Sequence, residues 1–281
     1  MAVSKVPRRS VAAEVATILD SPEVAALVAE LESIRFVGRK GYGSRTLLGA
    51  CIVKALYALP TWTRVADLIA EHPGLSAALG GTPSHWACYH FATKLRKERD
   101  RIAGCIDALA ASLREQYPEM GREVAIDATD MPAFANGQRF LYNHGPGRQR
   151  FSDPDASWGH RSAVSTRKGG GFYGYRLHAA VCPATGLPLA WRVETGARNE
   201  SLYVAPLLDA VTARGFRPSS VAMDRGYDNN RVYAECHERG VAPVIPLRKG
   251  RVQPEIPIKR GTPDWTAKYK RRSAVGASSA A

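Results

Sequence analysis

The chain has 281 residues, 45% of them apolar, which is enough for one large domain or two modest ones with real cores. Its 39 Lys and Arg against 26 Asp and Glu leave a formal charge of +13, so nucleic acid is the leading partner class. A basic protein with no polyanion partner is the alternative, and a membrane surface is weaker because no long amphipathic basic helix stands out. No stretch approaches the ~20 apolar residues of a membrane span, and the basic start MAVSKVPRRS has no apolar run behind it to act as an export signal. Five cysteines, odd in number and not at metal-ligand spacing, read as reduced thiols, so a soluble cytoplasmic protein is expected.

From about Val11 to Tyr117 apolar residues recur at three- and four-residue intervals, the period of amphipathic helices. VAAEVATILD, EVAALVAELESI, SRTLLGACIVKALYAL, TRVADLIAEH and RIAGCIDALAASLREQY each predict a helix. Ser21-Pro22 and Thr82-Pro83-Ser84 predict helix starts. Gly41 to Ser44, Pro60 and Gly80-Gly81 predict breaks. Residues 84–99, SHWACYHFATKLRKER, carry aromatics on one side and a basic cluster at the end. A core helix with a solvated basic tip and a DNA contact are equal readings of that segment.

After PEMGR the period changes. EVAIDATDM is a short apolar run interrupted by acids, as in a strand. Residues 132–171 show little periodicity and predict a loop insertion. FYGYRLHAAVC and LPLAWRVETG alternate like two strands, with PATG as the hairpin between them. ESLYVAPLLDAVTARG predicts a helix, PSSVAMD a strand, NNRVYAECHERG a helix, and VAPVIPLRKG a strand. Three strands followed by alternating helices and strands is the succession of a ribonuclease-H-like α/β domain with a mixed sheet.

The acids of this half fall at strand ends, where open α/β sheets form ligand sites. Asp127 lies inside the first strand, Asp130 at its end, and Asp224 at the end of the strand before Arg225-Gly226-Tyr227-Asp228. A lone buried carboxylate is costly unless paired, and one Asp would be satisfied by backbone or by an Arg. Two on neighbouring strands of a basic chain favour a metal site. Hard oxygen donors suit Mg²⁺, and two ions roughly 3.5–4 Å apart activate the attacking oxygen and stabilise the leaving one in phosphodiester chemistry. Asp130 and Asp228 read as turn residues or as supports of the site, and His178 as a packed core histidine.

AIDATDMPAFANGQR, the stretch FSDPDASWGHRSAVSTRKGGGFYGYRLHAAVCPATGLPLAWRVETG, AMDRGYDNNRVYAECHERGVAPVIPLRK and TPDWTAKYKRRSAV together resemble bacterial insertion-sequence transposases of the DDE type. The likeness runs from about Gly121 to Val275. Less distinctively, GYGSRTLLGACIVKAL and SHWACYHFATKLRK are similar to the domain that precedes the catalytic one. The resemblance implies a helical N-terminal domain over residues 1–118, for DNA binding or assembly, and a ribonuclease-H-like catalytic domain over 119–281 with a long loop insertion. It implies a polynucleotidyl transferase that cleaves and joins DNA at insertion-sequence ends with Mg²⁺ or Mn²⁺ in a two-metal site. Asp127 and Asp224 match the first two catalytic and metal-binding acids. Tyr269 and Arg272 fit the family's last motif, Tyr, two residues, Arg, three residues, Glu, but the Glu place is Gly276.

The expectation from the closing GASSAA, which begins at Gly276, is a catalytic domain incomplete at its C-terminus, with catalysis impaired. Glu255 lies between prolines. Glu194 and Glu200 flank the turn after the third strand, but nothing requires them to serve, and no replacement acid is expected. The implied partner is double-stranded DNA, both terminal repeats and target, with a homo-oligomer as a further partner, no membrane, and a nucleoid-associated location. Arg148, Arg150, Arg161, Arg167, Lys168, Arg248, Lys249, Lys268, Lys270 and Arg271 are the expected phosphate contacts, supplying salt-dependent affinity and not sequence reading. Trp158, Tyr173 and Tyr175 either stack on bases or pack under the loop. The other readings are a DNA-binding competitor without catalysis and a metal-dependent nuclease of the same fold.

Overall fold

The computed structural model describes residues 10–34, 41–135, 140–141, 149–150, 153–161, 168–252 and 254–272. The chain divides between Ser112 and Leu113 into two compact units.

The first unit is helical: α1 (Val11–Asp20), α2 (Pro22–Ser33), α3 (Ser44–Leu56), α4 (Trp62–Glu71), α5 (Pro73–Leu79), α6 (His85–Leu95) and α7 (Arg99–Gln116), the last crossing the division. Side-chain oxygens of Ser10, Thr61 and Ser84 accept from the first-turn amides of α1, α4 and α6, each satisfying a donor that the helix cannot. Pro22 opens α2 at the position where its missing N–H costs nothing. Leu19, Leu48, Val53, Ile69, Leu79 and Cys88 form the centre of the core. Helix α5 is absent from the sequence expectation. Its seven residues are too short to display a period, and Pro73-Gly74 at its head has the composition of a turn.

The second unit is built on a six-stranded mixed sheet. Its strands are β1 (Glu123–Pro132), β4 (Ser157–Arg161), β5 (Gly170–Val181), β6 (Pro188–Thr195), β7 (Ser220–Ala222) and β8 (Ala242–Val244). The short strands β2 (Phe140–Leu141) and β3 (Gln149–Arg150) pair separately. Strand β5 lies antiparallel to β1 and to β6, while β7 and β8 run parallel to β1. The order β6-β5-β1-β7-β8, with an antiparallel first half and a parallel second half, is the ribonuclease-H-like arrangement. Helix α8 (Val204–Ala213) packs on β5 and β6, while α9 (Asn230–Glu238) and α10 (Pro263–Arg271) pack on β8.

Two sequence expectations change here. The interval 132–171, expected as a loop insertion, contains β4, which pairs with residues 170–174 of β5 ahead of the stretch that β6 takes. Its signal is weak because SWGHR is short, and its partner lies beyond residues 162–167. The chains crowd where β4, β5 and β6 meet: a Cβ on Gly174 would run into the Met131 carbonyl, and Gly196 N–H donates to Gly174 O at 2.9 Å. The last strand, expected over 241–250, covers only Ala242–Val244, since Pro246 has no amide to continue the ladder.

The five cysteines are free thiols. Among the described residues no helix is long and apolar enough to cross a membrane.

Candidate active site

Strand β1 passes through the core at Val124, Ala125 and Ile126, all buried, and emerges at Asp127. Strand β7 does the same through Val221, Ala222 and Met223, then reaches Asp224. Their parallel register pairs Ala125 with Ala222, so Asp127 and Asp224 each stand two residues beyond the last pair, level with one another. Adjacent strands lie about 4.8 Å apart, which brings both carboxylates to the carboxyl edge of the sheet.

Asp127 accepts the Ala128 amide on Oδ1 and the Arg272 guanidinium on Oδ2, both at 2.9 Å. Burial raises its carboxyl above the ordinary range. The Ala128 amide and Arg272 pull it down, and Asp224 pushes it up again. The Asp224 carboxylate accepts the Gly226 N–H at 2.6 Å and caps the 3₁₀ turn Arg225–Tyr227. The ordering of this turn continues in Asp228, which is fully buried. It accepts from the Arg248 amide and the Tyr233 hydroxyl, both at 2.7 Å, and lies 3.2 Å from Arg251 Nε. Burial alone would raise Asp228, but these donors and the Arg251 and Arg260 charges outweigh it and lower its pKa.

Asp130 sits opposite Arg176 across the β1–β5 pair, and Arg176 Nε lies 3.1 Å from its carboxylate. The same buried guanidinium reaches Glu200 Oε1 at 3.1 Å and the His160 carbonyl. Glu200 opens the 3₁₀ turn Glu200–Tyr203, capped by Asn199, and this turn packs against the turn that follows Asp224. Its carboxyl is raised to about 7, first by burial. Arg176 opposes that, while Asp224, Asp127 and Asp130 add to it. Tyr227 is buried nearby, and its hydroxyl has no hydrogen-bond partner among the described residues.

Two aspartates level on parallel strands offer the hard oxygen donors that Mg²⁺ or Mn²⁺ takes, so the donor set fits such an ion. As the side chains stand, no three Asp, Glu, His or Cys among the described residues converge closely enough to hold one. The Asp127 and Glu200 charges are met by arginines instead.

A family model of the transposase DDE domain matches residues 118–275, more than half of the chain. The chain belongs to the transposase DDE domain family. A putative transposase for insertion sequence element IS402 from Burkholderia cepacia is 40% identical over 80 residues. That match covers 26% of this chain and 37% of the relative, so well under half of the relative's length is spanned. Among solved structures, the piggyBac transposase synaptic complex with hairpin DNA aligns over 90% of this chain and 54% of that one, at 12% identity and a TM-score of 0.36. The Mos1 strand transfer complex aligns over 74% and 60%, at 14% identity and a TM-score of 0.26.

In this DDE-domain chain Tyr269 and Arg272, the residues expected to fit the last motif, lie on and just after α10. Tyr269 stacks on Trp265 with ring centroids 5.0 Å apart, and Arg272 follows the helix to reach Asp127. Gly276 lies outside the described residues, as do Arg148 and Arg167. Arg150 and Arg161 belong to β3 and β4. Lys168, Lys249 and Lys270 are exposed. Three other expected phosphate contacts have protein partners. Arg248 donates to the Arg225 and Gly226 carbonyls, at 3.0 and 2.6 Å, and holds the turn after Asp224. Lys268 and Arg271 both grip Glu123, at 2.6 and 2.7 Å, and fasten α10 to β1. Tyr173 and Tyr175 hydroxyls donate to Asp153, while Trp158 tilts over Tyr173 with half its surface exposed.

Sequence reasoning did not gather Arg176 and Glu200 into the site. The missing signal is strand direction. Strand β6 runs parallel to β1, so the chain leaving it arrives at the edge where Asp127 and Asp224 stand. His178, read as packed, is fully buried and stacks on Tyr203 at 4.3 Å.

Proposed function

We propose that this chain acts in DNA transposition, with Asp127 and Asp224 holding divalent metal for cleavage and joining of DNA strands at insertion-sequence ends. The observation that carries the reading is the level placement of these two aspartates at the carboxyl edge of β1 and β7, in a chain of the transposase DDE domain family. When bound, Mg²⁺ or Mn²⁺ would supply Lewis-acid activation of the attacking oxygen and charge stabilisation of the leaving one. Asp127 and Asp224 would supply the ligands. Arg248, through the Arg225 and Gly226 carbonyls, would keep the Asp224 turn rigid. Exposed Lys168 and Lys249 are available to phosphates.

The helical unit has a DNA-facing candidate of its own. Helix α6 turns Cys88 into the core and leaves Trp86 60% and Tyr89 49% exposed. His85, His90, Lys94 and Lys97 are exposed along the same face, giving aromatic rings and then cations. The core-helix reading holds for Cys88 and Phe91, which pack on the core, while the outward Trp86 and Tyr89 with the cations beyond them support contact with a duplex.

The test incubates the full chain with Mn²⁺ and a plasmid carrying the DNA that flanks its gene. Metal-dependent nicking that disappears in Asp127→Asn and Asp224→Asn is expected. Nicking that survives both substitutions would sink the assignment. A second reading rests on Gly276: where the family pattern carries Glu, this chain offers no carboxylate. On that reading the protein occupies transposon ends as a competitor, and it binds end DNA without nicking it.

A further inference from the structure

We propose that Glu200 supplies the third carboxylate of this chain's metal site, beside Asp127 and Asp224. The inference rests on the strand-cleavage reading and replaces the expectation that no other acid serves.

Topology brings Glu200 there. Strands β1, β6 and β7 share one direction, so all three deliver their following residues to the same edge of the sheet. Asp127 emerges from β1, Asp224 from β7, and Glu200 five residues after Thr195 ends β6. The turn that Glu200 opens packs on the turn that Asp224 caps. Arg176 ties Glu200 to Asp130 by contacts of 3.1 Å each, fixing Glu200 beside β1.

A separate observation points to a ligand at the same place. The Tyr227 hydroxyl is buried, with the residue 1% exposed, and it has no hydrogen-bond partner among the described residues. Glu200, Asp127 and Asp224 are the charges that act on it most strongly after burial itself. A buried hydroxyl without a partner is costly, and a water or oxygen ligand held among the three acids would relieve that cost. Three carboxylates bring more negative charge than Arg176 and Arg272 neutralise, and a divalent cation would balance it. Glutamate has three rotatable bonds, so its carboxylate can turn from Arg176 toward the aspartates without moving the backbone.

The test is Mn²⁺ binding to the full chain, read from the electron paramagnetic resonance signal of free Mn²⁺ and needing no DNA cleavage. Glu200→Gln should weaken binding at least tenfold, as Asp224→Asn does. Glu238→Gln, which removes the same charge from the exposed end of α9, should leave binding unchanged. Wild-type affinity in Glu200→Gln with binding lost in Asp224→Asn overturns the inference alone. Unchanged affinity in Asp127→Asn, Asp224→Asn and Glu200→Gln together overturns the two-aspartate reading as well. Should Glu200→Gln fail to fold, Fe²⁺ with ascorbate and peroxide maps the site in the unaltered chain, because radicals cut backbone close to the ion. Cuts near 127, 200 and 224 support the assignment, and cuts near 127 and 224 with none near 200 refute it.

Discussion

Arg272 Nη1 donates to Asp127 Oδ2 at 2.9 Å, so a residue beyond the end of α10 reaches the acid that emerges from the middle of β1. This cation stands where a metal ligand's charge would be claimed. Two unit charges ~5 Å apart at an effective dielectric near 20 interact by about 3 kcal/mol, and solvent screening at this partly exposed pair reduces that. Arg272→Ala should therefore tighten Mn²⁺ binding by about tenfold, and Arg272→Lys much less. Equal affinity in wild type and Arg272→Ala would mean that Arg272 does not compete with the ion.

Arg176 is 9% exposed and serves two acids at once. Removing a buried partner leaves uncompensated charge, which costs about 3–5 kcal/mol. Arg176→Met should lower stability by that order in urea titrations followed by near-ultraviolet circular dichroism. Adding Asp130→Asn and Glu200→Gln should recover much of the loss. If Arg176→Met unfolds at the wild-type midpoint, the ion pairs are not structural.

His178 is fully buried against Tyr203, and neither ring nitrogen has a hydrogen-bond partner among the described residues. Burial, helped by Arg176, lowers its pKa to about 4. An unfolded histidine titrates near 6.5. Between these values the unfolded chain binds a proton that the folded chain refuses, so stability falls as pH falls through this window, by up to about 3 kcal/mol. His178→Phe should keep the ring stack, remove that part of the pH dependence, and raise stability near pH 7 by about 1–3 kcal/mol through loss of the unpaired nitrogens. Denaturation midpoints at pH 7.5 and 4.5 decide it. An unchanged difference between the two pH values in the variant would rule out His178 as the cause.

Lys94 and Lys97 follow the exposed aromatic residues of α6. If both meet phosphates, Lys94→Ala/Lys97→Ala should reduce the slope of log affinity against log salt by about 1.8 for duplex DNA. Trp86→Ala should weaken binding about tenfold with little change in that slope. Fluorescence anisotropy with labelled duplex at several salt concentrations separates the two effects. A slope unaltered by the double substitution would move the DNA contact away from α6.

Much of the second unit was legible because its patterns are local. EVAIDATDM and FYGYRLHAAVC declare strands by alternation and apolar runs, and helices α8 and α9 declare themselves by period and by terminal Gly215 and Gly240. Asp127 and Asp224 stood out because acids at the ends of apolar strands are expensive without a purpose. Strand β4 and helix α5 were not legible, one being short and paired with a distant partner, the other too brief to show a period. Arg248 was read as a phosphate contact from charge alone, and charge gave no sign that its guanidinium also donates to the carbonyls of the turn after Asp224.

By itself the sequence determined the helical half followed by an α/β half, the basic character and the place of Asp127 and Asp224 on or at the ends of apolar strands, because periodicity and charge are written residue by residue. Tertiary structure alone decided which side chains meet. The parallel register of β1 and β7 levels Asp127 with Asp224, the shared direction of β6 brings Glu200 to the same edge, and α10 carries Arg272 back to Asp127. Those meetings join residues up to 145 positions apart, and only strand pairing and helix packing set such distances.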